Sequence, residues 1–147
     1  MTTRERIEND LVAAVKGREA SVVSTLRMLR SALKNAEIDK RGELDDDEVV
    51  AMVGKEVKKL EDSIKDFEKG DRRDLVDSAR AEVETLKKYL PEPLSDEELR
   101  AIVEAKAAEL GEVSPSDFGR VMKAVMAEAK GRADGGRVSA LVKEKLS

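Results

Sequence analysis

The chain has 147 residues, of which 40% are apolar and 41% charged, with a formal net charge of -4, no cysteine and no histidine. Such a length makes one ordinary domain or two small ones, and the apolar content suffices for a modest core. The missing residue types exclude disulfides, thiolate metal sites, cysteine nucleophiles, a Ser-His-Asp relay and the usual imidazole base near neutral pH.

Ala, Glu, Lys, Leu and Arg supply more than half of the chain, and Phe67, Tyr89 and Phe118 are its only aromatics. This is the composition of long charged helices, and no segment alternates with period two, so the expected class is all-α. Thr2 and Glu5 have capping-box spacing ahead of Ile7, Leu11, Ala14 and Val15, predicting a first helix to about Lys16. After Gly17, Val22, Leu26, Leu29, Leu33 and Ala36 share one face of a second helix reaching about Lys40. Gly42 marks a turn, and the run Asp45, Asp46, Asp47, Glu48 suits the positive end of a third helix. Its positions Val49, Val53, Val57, Leu60, Ile64 and Phe67 form the clearest amphipathic stripe in the chain. Gly70 ends that helix, and a fourth places Leu75, Ala79, Val83, Leu86 and Leu90 on one side. Four helices with short turns suggest a bundle or helical hairpins.

Leu90-Pro-Glu-Pro-Leu94 cannot continue a helix, because residues before proline favour extended backbone and proline cannot donate. The expected organisation is an N-terminal helical subdomain over 1–90, a connector over 91–94 and a three-helix subdomain over 95–147. Ser95 and Glu98 open the fifth helix, with Leu99, Ile102, Val103, Ala107 and Leu110 inward and Gly111 as its stop. Ser114-Pro115 opens the sixth, whose buried face is Phe118, Val121, Met122, Val125, Met126 and Ala129. Gly131 ends it, and Asp134 caps a seventh helix with Val138, Leu141, Val142 and Leu146 inward.

Charge is uneven along this plan. Residues 95–118 carry two basic and seven acidic side chains, whereas residues 119–147 carry seven basic and three acidic. On a helical wheel Arg120, Lys123 and Lys130 lie together opposite the apolar set, and Arg132 and Arg137 extend the charge around the corner. Such a surface can track phosphates. The same residues also have ordinary uses, since Lys130 offsets the negative end of a helix dipole and Gly131 is a stop. Gly119, inside a helix, calls for a compensating reason: close packing of another helix, or a backbone approached by nucleic acid. Arg27, Arg30 and Lys34 form a second basic stripe that reads equally as a solvated face. The Asp45–Glu48 run lacks the spacing of a calcium loop and reads as a helix start.

Leu26-Arg-Met-Leu-Arg30, Arg73-Asp-Leu75, Tyr89-Leu-Pro-Glu-Pro-Leu-Ser95, Gly119-Arg-Val-Met122 and Lys130-Gly-Arg-Ala-Asp-Gly135 occur in an order that resembles the GatB/YqeY family across nearly the whole chain. The full length resembles its free-standing, all-helical members. The C-terminal part resembles the tail of the B subunit of the tRNA-dependent amidotransferase, a carbon-nitrogen ligase with glutamine as amido-N-donor. That tail helps to hold tRNA. The resemblance therefore implies a tRNA-facing surface around Gly119, Arg120, Lys123, Lys130, Gly131, Arg132 and Arg137. Leu60, Glu61 and Gly136 depart from positions where relatives often carry basic residues.

The expected function is a non-catalytic accessory that binds tRNA, or a tRNA-amidotransferase or tRNA-synthetase complex, with no catalytic residue, cofactor or metal. The alternative is a helical protein-interaction module without a nucleic-acid role. An independent amidase is disfavoured, because no amidase signature or phosphate-cradling loop is present. Residues 1–20 carry Arg4, Glu5, Arg6 and Glu8 and no continuous apolar run, so neither a signal peptide nor a membrane span is predicted and a cytoplasmic location is expected.

Overall fold

A computed structural model describes residues 1–147, and it contains helices and turns without strands, as the all-α expectation requires. It divides into two compact units, Met1–Leu90 and Pro91–Ser147. The first unit holds α1 (Thr3–Lys16), α2 (Ala20–Lys40), α3 (Asp46–Lys69) and α4 (Arg73–Lys87). The second holds α5 (Asp96–Glu109), α6 (Phe118–Ala129) and α7 (Gly135–Leu146), with a short 3-10 turn at Pro115–Asp117 leading into α6.

In the first unit α1 and α3 both start on capping boxes. Thr2 Oγ1 accepts from Glu5 N at 3.1 Å while Thr2 N donates back to the Glu5 carboxylate at 3.3 Å, and Asp45 and Glu48 repeat the exchange at 2.8 and 3.2 Å. Each exchange satisfies two backbone donors that a helical first turn leaves without partners. Asp46 accepts from Thr3 N at 2.7 Å, so three of the four acids in this run have structural partners. The apolar stripes then meet: Ile7 and Leu11 of α1, Leu26, Leu29 and Leu33 of α2, Val49, Val53 and Val57 of α3, and Val83 and Leu86 of α4 form one core.

The stripe of α3 is not buried uniformly. Val49, Val53 and Val57 are buried, whereas Leu60, Ile64 and Phe67 are half-buried. α1 meets α3 at its first turn, through the Thr3–Asp46 bond, which leaves the C-terminal half of α3 to its hairpin partner α4. The fourth helix also ends earlier than its stripe suggests, at Lys87, and Leu90 lies beyond it, half-buried. Between them Tyr89, which the periodicity did not select, is buried; its hydroxyl donates to Asp10 Oδ2 at 2.5 Å and Arg6 stacks 5.3 Å from the ring centre. Burial, and then the Asp10 carboxylate, push the Tyr89 phenol well above its ordinary range.

The second unit is built on Leu99 and Val103 of α5, Val121, Val125 and Ala129 of α6, and Val138, Val142 and Leu146 of α7. Ser95 and Glu98 form the capping box of α5, each bond 3.1 Å, and Asp134 caps α7 by accepting from Arg137 N at 2.9 Å. Residues 91–94 pack with this unit instead of standing apart, since Leu94 is 5% exposed and belongs to its core. Met126 departs from the expected buried face: at 37% exposure it sits on the rim, because its angular position marks the edge of the apolar arc.

Candidate nucleic-acid interface

The inward set Val121, Val125 and Ala129 fixes how α6 faces the core, and that rotation turns Gly119, Arg120 and Lys123 outward. At about 100° per residue, Gly119, Lys123 and Ala127 follow one another along the exposed side, with Arg120 and Met126 flanking them. That arc contains no carboxylate. The only acid of α6, Glu128, lies away from it and reaches Lys106 of α5 at 3.7 Å.

Arg120 extends from this face with its side chain 65% exposed, and its Nη1 lies 3.1 Å from Asp117 Oδ1. Asp117 is held below the ordinary carboxylate range first by the hydrogen bond from Ser114 N, at 2.8 Å, and further by Arg120. Lys123 and Lys130 are exposed and make no ion pair or side-chain hydrogen bond. Gly119 is exposed as well, and a Cβ built on it would meet nothing within 4 Å. The expectation of close helix packing at Gly119 is thereby removed within this unit, because neither α5 nor α7 approaches that side of α6.

The corner itself is made by two consecutive left-handed residues, Lys130 (φ 45) and Gly131 (φ 78), which reverse the chain between α6 and α7. For glycine this backbone is free of Cβ strain, whereas for a lysine it costs roughly 1 kcal/mol or more. Lys130 N still donates to Met126 O and Arg132 N to Ala129 O, so two of the last carbonyls of α6 are satisfied.

Arg132 and Arg137, by contrast, point at their own chain. Arg132 Nε donates to Glu92 O at 2.8 Å, and the Arg132 carbonyl accepts from Leu94 N at 2.8 Å. Arg137 Nη2 donates to Leu94 O at 2.9 Å and to Asp96 Oδ1 at 2.7 Å. The hydrogen bond from Arg137 holds the Asp96 carboxyl below its ordinary range. These two guanidiniums clamp the proline-containing segment onto the α6–α7 corner, and they seat Leu94 in the core. The seven residues singled out from the sequence therefore divide. Gly119, Arg120, Lys123 and Lys130 lie along an open surface whose one neighbouring carboxylate is Asp117 beside Arg120, Gly131 shapes the corner, and Arg132 and Arg137 hold the fold together. The clamp was missed by sequence reasoning because its acceptors are mostly backbone carbonyls about forty residues upstream, which leave no side-chain signature.

Chemically, the outward set offers two unpaired ammonium groups, one guanidinium and a stretch of helix without a covering side chain at Gly119, which together suit an anion. Residues 4–146 match the protein family described as Yqey-like protein. The chain is 34% identical over 113 residues to "Altered inheritance of mitochondria protein 41, mitochondrial" of Lachancea thermotolerans, covering 75% of this chain and 60% of that protein. A protein of the same name from Pyrenophora tritici-repentis is 28% identical over 130 residues, covering 87% of this chain and 71% of the relative. An uncharacterized protein of Schizosaccharomyces pombe is 30% identical over 90 residues, with 61% and 73% covered.

These names overturn the expected cytoplasmic location, since the Lachancea and Pyrenophora relatives, and others from Saccharomyces cerevisiae, are named as mitochondrial. A lack of continuous apolar residues over 1–20 does not distinguish one aqueous compartment from another. No helix of the protein is long and apolar enough to cross a membrane.

Proposed function

The chain belongs to the YqeY-like family, and from that premise we propose that it is a tRNA-binding accessory, acting on tRNA or a tRNA–enzyme complex through the outward face of α6 and the corner that follows. The observation that carries the reading is the exposed surface of Gly119, Arg120, Lys123 and Lys130, on which neither lysine has a carboxylate partner, in a chain whose net charge is negative. Two lysines without internal partners are free to neutralise phosphates, releasing condensed counterions, while Arg120 can trade Asp117 for a phosphate oxygen. Gly119 permits backbone approach where a side chain would intrude. The likeness to the amidotransferase B-subunit tail suggests which nucleic acid is bound, and it leaves the glutamine-dependent amidation itself to other subunits. Arg132 and Arg137 enter only as positioning residues, holding the corner in shape.

The test is a filter-binding titration of total tRNA against the full chain and the variant Lys123→Glu/Lys130→Glu. The double reversal should cost about 1 kcal/mol of stability, through the loss of the Lys130 cation from the C-terminal end of the α6 dipole, leave the protein folded, and weaken binding about tenfold or more. Equal affinity of the two proteins would remove α6 as the tRNA surface.

A further inference from the structure

The chain's exposed large apolar side chains are few, and two of them sit together on α1: Val12 is 54% exposed and Val15 48%. Valine is a poorer helix former than the alanine, glutamate or lysine that usually fill solvent-facing helical positions, so these two are placed against local preference. Glu8, Val12 and Val15 follow the spacing of one helix face, and Glu8 lies 3.5 Å from Arg30 of α2, so that face is turned toward α2. On α2, Val23, Arg27 and Arg30 repeat the same spacing in the opposite chain direction. At the turn that joins the two helices lies an open depression of about 540 Å³, lined by Val15 of α1 and by Ala20, Val23 and Ser24 of α2 and bordered by Arg18 and Arg27, with Val12 outside its lining. Neither of those arginines has a carboxylate partner within the protein, unlike Arg4, Arg30, Arg72 and Arg80 of the same unit.

We propose that the α1–α2 groove docks an acidic amphipathic helix of a partner protein. A depression lined by Val15, Ala20 and Val23 accepts apolar side chains that a third helix presents at every third and fourth position. The unpaired guanidiniums at its border offer forked donors to carboxylates flanking that ridge. No aromatic lines the groove, so it has no platform on which the bases of a single strand could stack. It also lacks the Trp, Phe and Leu content with which interfacial helices enter a lipid surface. The proposal concerns the first unit and is independent of tRNA binding by the second.

Fluorescence anisotropy of the full chain tests it, with three labelled, stapled peptides of about 18 residues as probes. One carries leucines at helical ridge spacing flanked by glutamates, one has lysines in place of the glutamates, and one is a scramble of the first. The acidic peptide should bind saturably and the other two should not. Arg18→Glu/Arg27→Glu should lose the acidic peptide and gain the lysine peptide, and Val15→Asp should weaken the acidic peptide about tenfold. All variants should keep the wild-type circular dichroism melt and tRNA affinity, the groove residues being exposed and in the other unit. The proposal is overturned if the acidic and scrambled peptides bind alike, or if the groove variants leave acidic-peptide affinity unchanged. It is also overturned if the peptide does not bind while Val15 instead mediates self-association in sedimentation, or flotation with phosphatidylglycerol vesicles.

Discussion

The outward face of α6 and the α6–α7 corner draw on one basic stretch of sequence and use it in opposite ways. Arg132 and Arg137 spend their donors on Glu92, Leu94 and Asp96, within hydrogen-bond distance of their own chain. Lys123 and Lys130 have no such partners, and Arg120 is paired only with a neighbour in sequence, Asp117. A count of positive charge treats these five residues alike. What separates them is whether an acceptor from a distant part of the chain has been folded into reach.

The sharpest way to break that contrast is to remove the clamp. Arg132→Ala/Arg137→Ala deletes three donated hydrogen bonds, one to the part-buried carbonyl of Leu94, and should lower stability by about 2–3 kcal/mol in urea unfolding. Any loss of tRNA affinity should then track the unfolded fraction, and should vanish at low urea and temperature. A stable double variant with weakened tRNA binding would place both arginines on the binding face instead. The same clamp gives the molecule an acid sensitivity whose sign follows from Asp96. Its folded-state pKa lies below the ordinary value of 3.8, so its contribution is present above that value and is lost as pH falls through the lower folded value. The stability gap between wild type and Arg137→Ala should therefore narrow as pH drops below about 4, down to what the bond to the Leu94 carbonyl contributes, and stay wide at neutral pH.

Gly119 offers a smaller and more discriminating test. With nothing within 4 Å of a built Cβ, Gly119→Ala should stabilise the protein by about 0.5–1 kcal/mol, read as a raised melting midpoint. If the glycine is there so that a ligand can approach the helix, the same substitution should lower tRNA affinity severalfold. A variant that gains stability and loses no affinity would mean that the surface around Gly119 is bare.

Helix positions were legible because their signals are local. Thr2 with Glu5 and Ser95 with Glu98 form the reciprocal capping bonds that their spacing predicts, and the acidic run expected to start α3 does so through the same exchange between Asp45 and Glu48. The inward faces of α5, α6 and α7 likewise follow from periodicity, except where Met126 falls at the edge of an arc. What escaped the sequence is what depends on residues far apart. The Tyr89–Asp10 bond joins positions 79 apart, and the Arg137–Leu94 bond joins positions 43 apart. A wheel drawn for α6 shows which cations share a side, but it cannot show that Arg132 and Arg137 are already engaged. Nor could it reveal the α1–α2 groove, since Val15 looks like a core position until a second helix fails to cover it.

Salt dependence of tRNA binding measures most directly whether Lys123 and Lys130 meet phosphates. Each phosphate contact contributes roughly 0.7–0.9 to the slope of log affinity against log salt, so Lys123→Gln/Lys130→Gln should flatten that slope by about 1.4–1.8, while Arg132→Ala/Arg137→Ala, assayed where it is folded, should leave it unchanged. A slope unaltered by the lysine variant, or flattened by the arginine variant alone, would contradict the division of labour between face and clamp.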